Sequence, residues 1–195
     1  MSKNTFRAIV VHKSDAGQFT RNIEERSCEE LPPGEVLIQV KFSSLNYKDA
    51  LSATGHPGVT RNFPHTPGID AAGLVEESNS ADFAAGDPVL VTGYDLGMGT
   101  PGGYGRYIRV PATWVLPLPV GFSLQESMIY GTAGFTSAQC IHELEAGGVT
   151  PERGEILVTG ATGGVGSLAV GMLARAGYQV VAASGKTDAE QYLLD

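Results

Sequence analysis

Cysteine is scarce in this 195-residue chain: Cys28 and Cys140 stand far apart and in no pattern. Two residues cannot build a disulfide framework or a four-cysteine zinc site. Each is expected to be a reduced packing residue of a cytoplasmic protein. Positive charge is also in short supply. Lys and Arg number 13 against 21 Asp and Glu, a formal charge of -8, and no basic run occurs. Such a surface repels phosphate backbones and anionic lipid, so neither nucleic acid nor a membrane surface is expected as a partner. No apolar stretch approaches the roughly 20 residues that a bilayer requires. The opening "MSKNTFRAIVVHK" has no apolar core followed by a small-residue cleavage site, so no secretory signal is expected.

What is present is an ordinary 42% of hydrophobic residues, enough for a core, and 26 glycines. The glycines gather at 97–105, 131–134 and 160–166 without a repeat, which excludes collagen-like and low-complexity readings. The first half has strand texture. "FRAIVVHK", "EVLIQVKFSSL", "AAGLVEE", "DPVLVTG" and "GRYIRVPATWVLPLP" are Val- and Ile-rich runs with turn residues between them, as in a barrel-like β domain. One short helix is expected in "NYKDALSATG".

From Ser123 the texture turns helical. Ser123 with Glu126 three residues on makes a capping box, and Gly131 and Gly134 are expected to break the helix in two. The domain boundary is placed near Phe122, giving domains 1–122 and 123–195.

Ile156–Lys186 reads strand, glycine turn, helix, strand. In "TGATGGVGS" the dinucleotide fingerprint falls on Ala161, Gly163 and Gly166. Ala161 takes the tight turn, Gly163 admits the pyrophosphate and Gly166 lets helix and strand pack. With Thr162, Gly164 and Val165 they form the cofactor-binding turn, whose helix start offers N–H groups to phosphate. Val165, Leu168, Ala169, Met172 and Ala176 form the apolar helix face. A second strand follows over Gln179–Ala183. At its end an NAD site carries Asp or Glu for the ribose 2′-hydroxyl; here stand Ser184, Gly185 and Lys186. No carboxylate repels a 2′-phosphate, and a hydroxyl and an ammonium are available to bind one, so NADPH is the expected cofactor.

Five segments in order, "NYKDAL", "PGIDAAGLV", "GDPVLVTGY", "YGTAGFTSA" and "VTGATGGVGS", resemble the zinc-independent medium-chain dehydrogenase/reductases, in their quinone oxidoreductase and acryloyl-CoA reductase branch. The resemblance covers nearly all of the chain. It implies an α/β protein with a GroES-like β-barrel domain, then an incomplete Rossmann domain (a doubly wound parallel sheet), and an active site in the cleft between them. The three catalytic ligand places of zinc-dependent relatives look to be Asn46, Ile69 and Thr132 here, so no metal is expected. His12, His56, His65 and His142 show no ligand spacing; His56 and His65 are read as solvent-facing loop residues, with the cleft as the other option.

The same resemblance puts Asn46, Tyr47 and Asp49 in the active-site helix and Thr132 and Thr136 near the nicotinamide. Asn46 is a candidate to bind a substrate carbonyl or the nicotinamide, and Tyr47 to donate a proton or shape the pocket. Asp49 is a catalytic candidate or a structural anchor, Lys48 a surface charge and Tyr94 a weaker cleft candidate. Where relatives often carry a tyrosine this chain reads Gly55-His56-Pro57, which leaves Tyr47, His56 or water as the donor.

The expected function is NADPH-dependent, zinc-free reduction of an activated C=C bond, as in an acryloyl-CoA-like enoyl thioester, or of a quinone. The alternative is a non-catalytic NADPH-binding or structural protein of this fold. With one helix and two strands of a doubly wound domain, the chain is expected to be an inactive fragment of a parent enzyme that forms homodimers.

Overall fold

Period-two burial organises the first half of the chain. In the computed structural model, which describes residues 5–194, strand β1 (Thr5–Lys13) buries Phe6, Ala8 and Val10 and exposes the residues between. That alternation is what a strand produces when one face meets a core. β1 pairs antiparallel with β2 (Phe19–Ser27) from Thr5↔Ser27 to Lys13↔Phe19. "FTRNIEERS" is mostly charged or polar, and strand texture alone does not mark it; β2 exists because β1 offers it a complete hydrogen-bonding edge.

β3 (Val36–Phe42), β4 (Asp70–Ser78), β5 (Pro88–Thr92), β6 (Tyr107–Val110) and β7 (Leu116–Pro117) form one sheet in the order β6-β3-β4-β5-β7. Every adjacent pair is antiparallel. Bridges Ala8↔Gly105 and Val11↔His65 link β1 to the segments around this sheet. Val36, Ile38, Val89, Val91, Ile108 and Val110 fill its core. Each fully buried aliphatic of this kind contributes about 1.5–3 kcal/mol of transfer free energy. Cys28 joins a second cluster with Phe6 and Leu37, and burial raises its thiol pKa. A short helix, α1 (Tyr47–Ala53), interrupts the strands between β3 and β4.

The chain divides into two compact units, Met1–Gly131 and Thr132–Asp195. The division falls inside the helical run α2 (Leu124–Ala146), at Gly131, whose φ of 49° and ψ of -153° are not helical. Ser123 opens this run: its N–H and Oγ–H donate to Glu126 Oε2 at 2.8 and 2.6 Å, while its Oγ accepts the Glu126 N–H at 3.2 Å. The break expected at Gly134 does not occur. Glycine tolerates helical dihedrals, and no departure from them is found in α2 except at Gly131.

In the second unit, β8 (Glu155–Thr159), α3 (Gly164–Arg175) and β9 (Gln179–Ala183) make a βαβ motif. Its strands are parallel in register Glu155↔Gln179 to Thr159↔Ala183. α4 (Glu190–Leu194) follows. Of the apolar face expected for α3, Leu168, Ala169 and Met172 are half-buried, while Val165 is 41% exposed and Ala176 is the exposed C-cap; the buried residue is their neighbour Leu173. Cys140 is exposed rather than packed. Among the described residues no helix is long and apolar enough to cross a membrane.

Candidate functional site

In the second unit the turn between β8 and α3 has its sharp bend at Gly160, with φ 63°, one residue before the place assigned to it. Ala161 is fully buried and its N–H donates to Ala183 O at 3.1 Å, joining the ends of the two strands. The Gly163 N–H then donates to Gly160 O at 2.9 Å, and α3 begins with Ser167 N–H to Gly163 O at 2.9 Å. The N–H groups of Gly164, Val165 and Gly166 precede that first bond and lack partners within the helix. A helix start of this kind attracts phosphate through its N–H groups and positive dipole end.

The fingerprint glycines differ in what surrounds them. A Cβ on Gly166 would overlap Gly160 O, so strand and helix approach too closely for any side chain. A Cβ on Gly163 would meet only that same oxygen, at 3.3 Å. The space in front of Gly163 is therefore open, as a cradle for a pyrophosphate requires. Ser137 supports the turn from α2, its Oγ–H lying 2.7 Å from Val165 O and 2.9 Å from Ala133 O. Thr136 Oγ1 donates to Thr132 O at 2.8 Å within its own helix.

The end of β9 is tied to the same turn. Thr162 and Ser184 hydroxyls are 3.2 Å apart, and the Lys186 N–H donates to Ser184 Oγ at 3.1 Å. Thr162, Ser184, Gly185 and Lys186 are thus brought together, with the last two exposed.

In the first unit, α1 starts beside a buried polar cluster. The Asn46 backbone N–H donates to Asp49 Oδ2 at 2.8 Å. Its side-chain Nδ2 donates to Ser44 Oγ at 2.8 Å and Asp70 Oδ2 at 2.9 Å. The Ser44 hydroxyl also donates to Asp70 Oδ2. Asp49, 1% exposed, receives the Ile69 N–H on Oδ1 at 2.9 Å and the Tyr104 hydroxyl on Oδ2 at 3.1 Å. Both Asp49 oxygens serve the backbone and Tyr104, so the carboxylate anchors α1 rather than facing a ligand. Burial, then the charge of Asp49, push the Tyr104 phenol above its ordinary pKa and keep it a donor.

Tyr47 is 80% exposed at the first turn of α1, and Lys48 is exposed beside it. Tyr94 has a left-handed φ of 53°; it stacks on Trp114 with centroids 5.1 Å apart and donates to Thr113 O at 3.1 Å. His65 departs from its expected solvent-facing position. It is 4% exposed, with Nε2 2.8 Å from Gly97 O, and burial lowers its pKa.

Sequence reasoning passed over Ser44, Asp70, Tyr104 and Gly160. Only Gly160 had a local signal, as the residue directly after a strand. Among the described residues no group of three or more His, Cys, Asp and Glu is arranged to hold a metal. Ile69 has no ligating atom in its side chain, and Asn46 is committed to the buried cluster.

Residues 32–120 match the family described as the alcohol dehydrogenase GroES-like domain. The chain is 43% identical over 189 residues to the acrylyl-CoA reductase AcuI of Ruegeria pomeroyi, covering 96% of this chain and 57% of that protein. It is similar to the yhdH oxidoreductase of Salmonella enterica, solved in complex with NADP: TM-score 0.94, 44% identity, 96% of this chain and 58% of that one. It is equally similar to the Bacillus subtilis protein yhfP, solved with NAD bound: TM-score 0.94, 46% identity, 98% of this chain and 58% of that one. The chain thus spans a little over half the length of these relatives.

Proposed function

We propose that the chain belongs to the zinc-independent medium-chain dehydrogenase/reductases, in their quinone oxidoreductase and acryloyl-CoA reductase branch, and on that premise that a protein carrying it is an NADPH-dependent oxidoreductase. Its substrate is an activated C=C bond, as in an acryloyl-CoA-like enoyl thioester, or a quinone. The observation that carries the reading is the turn from Gly160 to Gly166 beside a β9 end that bears Ser184, Gly185 and Lys186 in place of an acid.

That turn fits the cofactor. The opening over Gly163 admits a pyrophosphate, the start of α3 offers N–H groups to it, and Ser184 and Lys186 suit a 2′-phosphate. Thr132 and Thr136 belong to the cofactor's side of the reaction in this reading. When bound, NADPH supplies the hydride that an electron-poor carbon accepts.

The remaining tasks are positioning and proton supply. Asn46 binds a ligand group at the start of α1. Tyr47, with its ring exposed, shapes the pocket and is the leading proton donor. Asp49 holds this turn in place through the Asn46 and Ile69 N–H groups.

The test is a titration of NADPH against NADH, followed by a rate screen of enoyl-CoA esters and quinones, on this chain and on a full-length relative. Preference for NADPH with reduction of one substrate class supports the proposal. Binding without turnover in the full-length protein identifies the alternative, a non-catalytic NADPH-binding protein. Equal affinity for NADH removes the 2′-phosphate assignment.

A further inference from the structure

Ser137 is fully buried in the second unit, and its hydroxyl has a single hydrogen to share between two acceptors. One is Ala133 O, 2.9 Å away and one turn back in α2. The other is Val165 O, 2.7 Å away in the first turn of α3. The first contact is the ordinary back-bond of a serine inside a helix. The second is the shorter, and it joins two elements. Solvent does not compete for a hydrogen at a fully buried position, so the hydroxyl stays between the helices.

Ala133 adds to the same junction. A Cβ built on Gly164 would meet the Ala133 Cβ at 3.5 Å, an ordinary contact distance. Ala133 and Ser137 lie one helical turn apart, hence on one face of α2, and both meet the start of α3. That start carries the Gly164, Val165 and Gly166 N–H groups, which lack partners within the helix. Thr132 and Thr136 each directly precede one of the two junction residues. They therefore share the adjoining face of α2, where both are half-buried.

We infer that Ser137 is a positioning residue for the cofactor, its hydroxyl fixing the threonine face of α2 against the phosphate-facing start of α3 so that one ligand meets both. The inference rests on the reading of the glycine turn as a pyrophosphate cradle, with Thr132 and Thr136 on the cofactor's side, and refines it. Ser137 is buried and touches no ligand itself. Its effect falls on a ligand long enough to reach from α3 to α2. The 2′-phosphate end is left to Ser184 and Lys186, which are tied to the turn through Thr162 instead.

Two ligands of different reach test this on the 195-residue chain. Ser137→Ala removes the hydrogen and adds no volume, and each carbonyl keeps the N–H that its own helix supplies. The variant should fold with an unfolding midpoint within a few degrees of the wild type. NADPH should bind about fivefold more weakly, the effect of one lost neutral hydrogen bond. Adenosine 2′,5′-bisphosphate has the 2′-phosphate and a single phosphate for the cradle, and nothing that extends to α2. Its affinity should stay within about twofold of the wild type.

Unchanged NADPH affinity in Ser137→Ala, or equal losses for the two ligands, overturns the assignment. A wild type that binds no NADPH fails the cofactor reading itself. In that case, or where the bisphosphate binds too weakly to measure, amide exchange decides the tie. Exchange at Ser167, Leu168 and Ala169 that quickens about fivefold or more in Ser137→Ala, with Ala174 and Arg175 unaffected, supports it. Equal exchange in variant and wild type overturns it.

Discussion

A Cβ placed on Gly131 would lie 2.7 Å from Asp70 Oδ2. The same atom would lie 3.1 Å from the Ser44 side chain, and Gly131 has a φ of 49°. The break in α2 and the polar cluster at the start of α1 thus occupy one packed region of the first unit. The helix departs from regular geometry where a buried carboxylate requires the room.

Gly131→Ala should therefore destabilise the protein by about 1–3 kcal/mol, through backbone strain and displacement of the carboxylate. Thermal unfolding checks it: for a chain of this length the midpoint should drop by several degrees. Gly134→Ala provides the control, since that position is helical, and should be neutral or slightly stabilising. Equal effects at the two positions would contradict the packing account.

Two substitutions in the glycine turn should separate folding from binding. Gly166→Ala drives a methyl into Gly160 O and should lower stability along with nucleotide binding. Gly163→Ala meets that oxygen at 3.3 Å, a contact the turn can relieve by a small shift. It should fold with a midpoint close to the wild type while losing about tenfold or more in NADPH affinity, because its methyl enters the pyrophosphate space. Calorimetric titration beside thermal unfolding reads both quantities.

Charge at the end of β9 should set the cofactor preference. Lys186→Ala removes the ammonium available to a 2′-phosphate and should weaken NADPH about tenfold while leaving NADH nearly unchanged. Ser184→Glu should reverse the preference, since a carboxylate repels the phosphate and accepts from a ribose hydroxyl. Dissociation constants for both nucleotides at fixed ionic strength measure this; parallel losses would reject it.

His65 should make stability depend on pH. Burial lowers its pKa in the folded protein below the ordinary 6.5. Above pH 6.5 the ring is neutral folded or unfolded, and its contribution is complete. Below that value the unfolded chain binds a proton that the folded protein resists, so stability falls as pH falls until the folded ring also titrates. His65→Gln keeps a donor for Gly97 O and removes the titration. Its midpoint should start lower at pH 7.5 and decline less steeply from pH 6.5 to 5.5 than that of the wild type. Parallel slopes would show that His65 is not the source.

Legibility in the sequence followed how local the cause was. β9 and the α3 turn were readable because strand, glycines and helix face lie within one short segment. The capping box at Ser123 was readable for the same reason, two residues deciding it. β2 was missed because its pairing comes from β1, not from its own polar composition. His65 was assigned to solvent because a loop histidine gives no sign of the backbone carbonyl that receives it. The start of α3 and the middle of its covered face were legible, but Leu173 was not, since which residue of a helix is buried most deeply is decided by tertiary packing.

Order along the chain decided by itself that a β-rich domain precedes a dinucleotide turn, and that no acid closes the second strand. Both follow from residue type and spacing, which act through nearest neighbours and need no distant partner. Folding alone decided that Asp49 is an anchor, that Asp70 and Ser44 accept from the Asn46 amide, and that Gly131 gives way to them. Those relationships join residues far apart in sequence, and a buried polar atom takes its role from whichever partner the packed chain brings within hydrogen-bond distance.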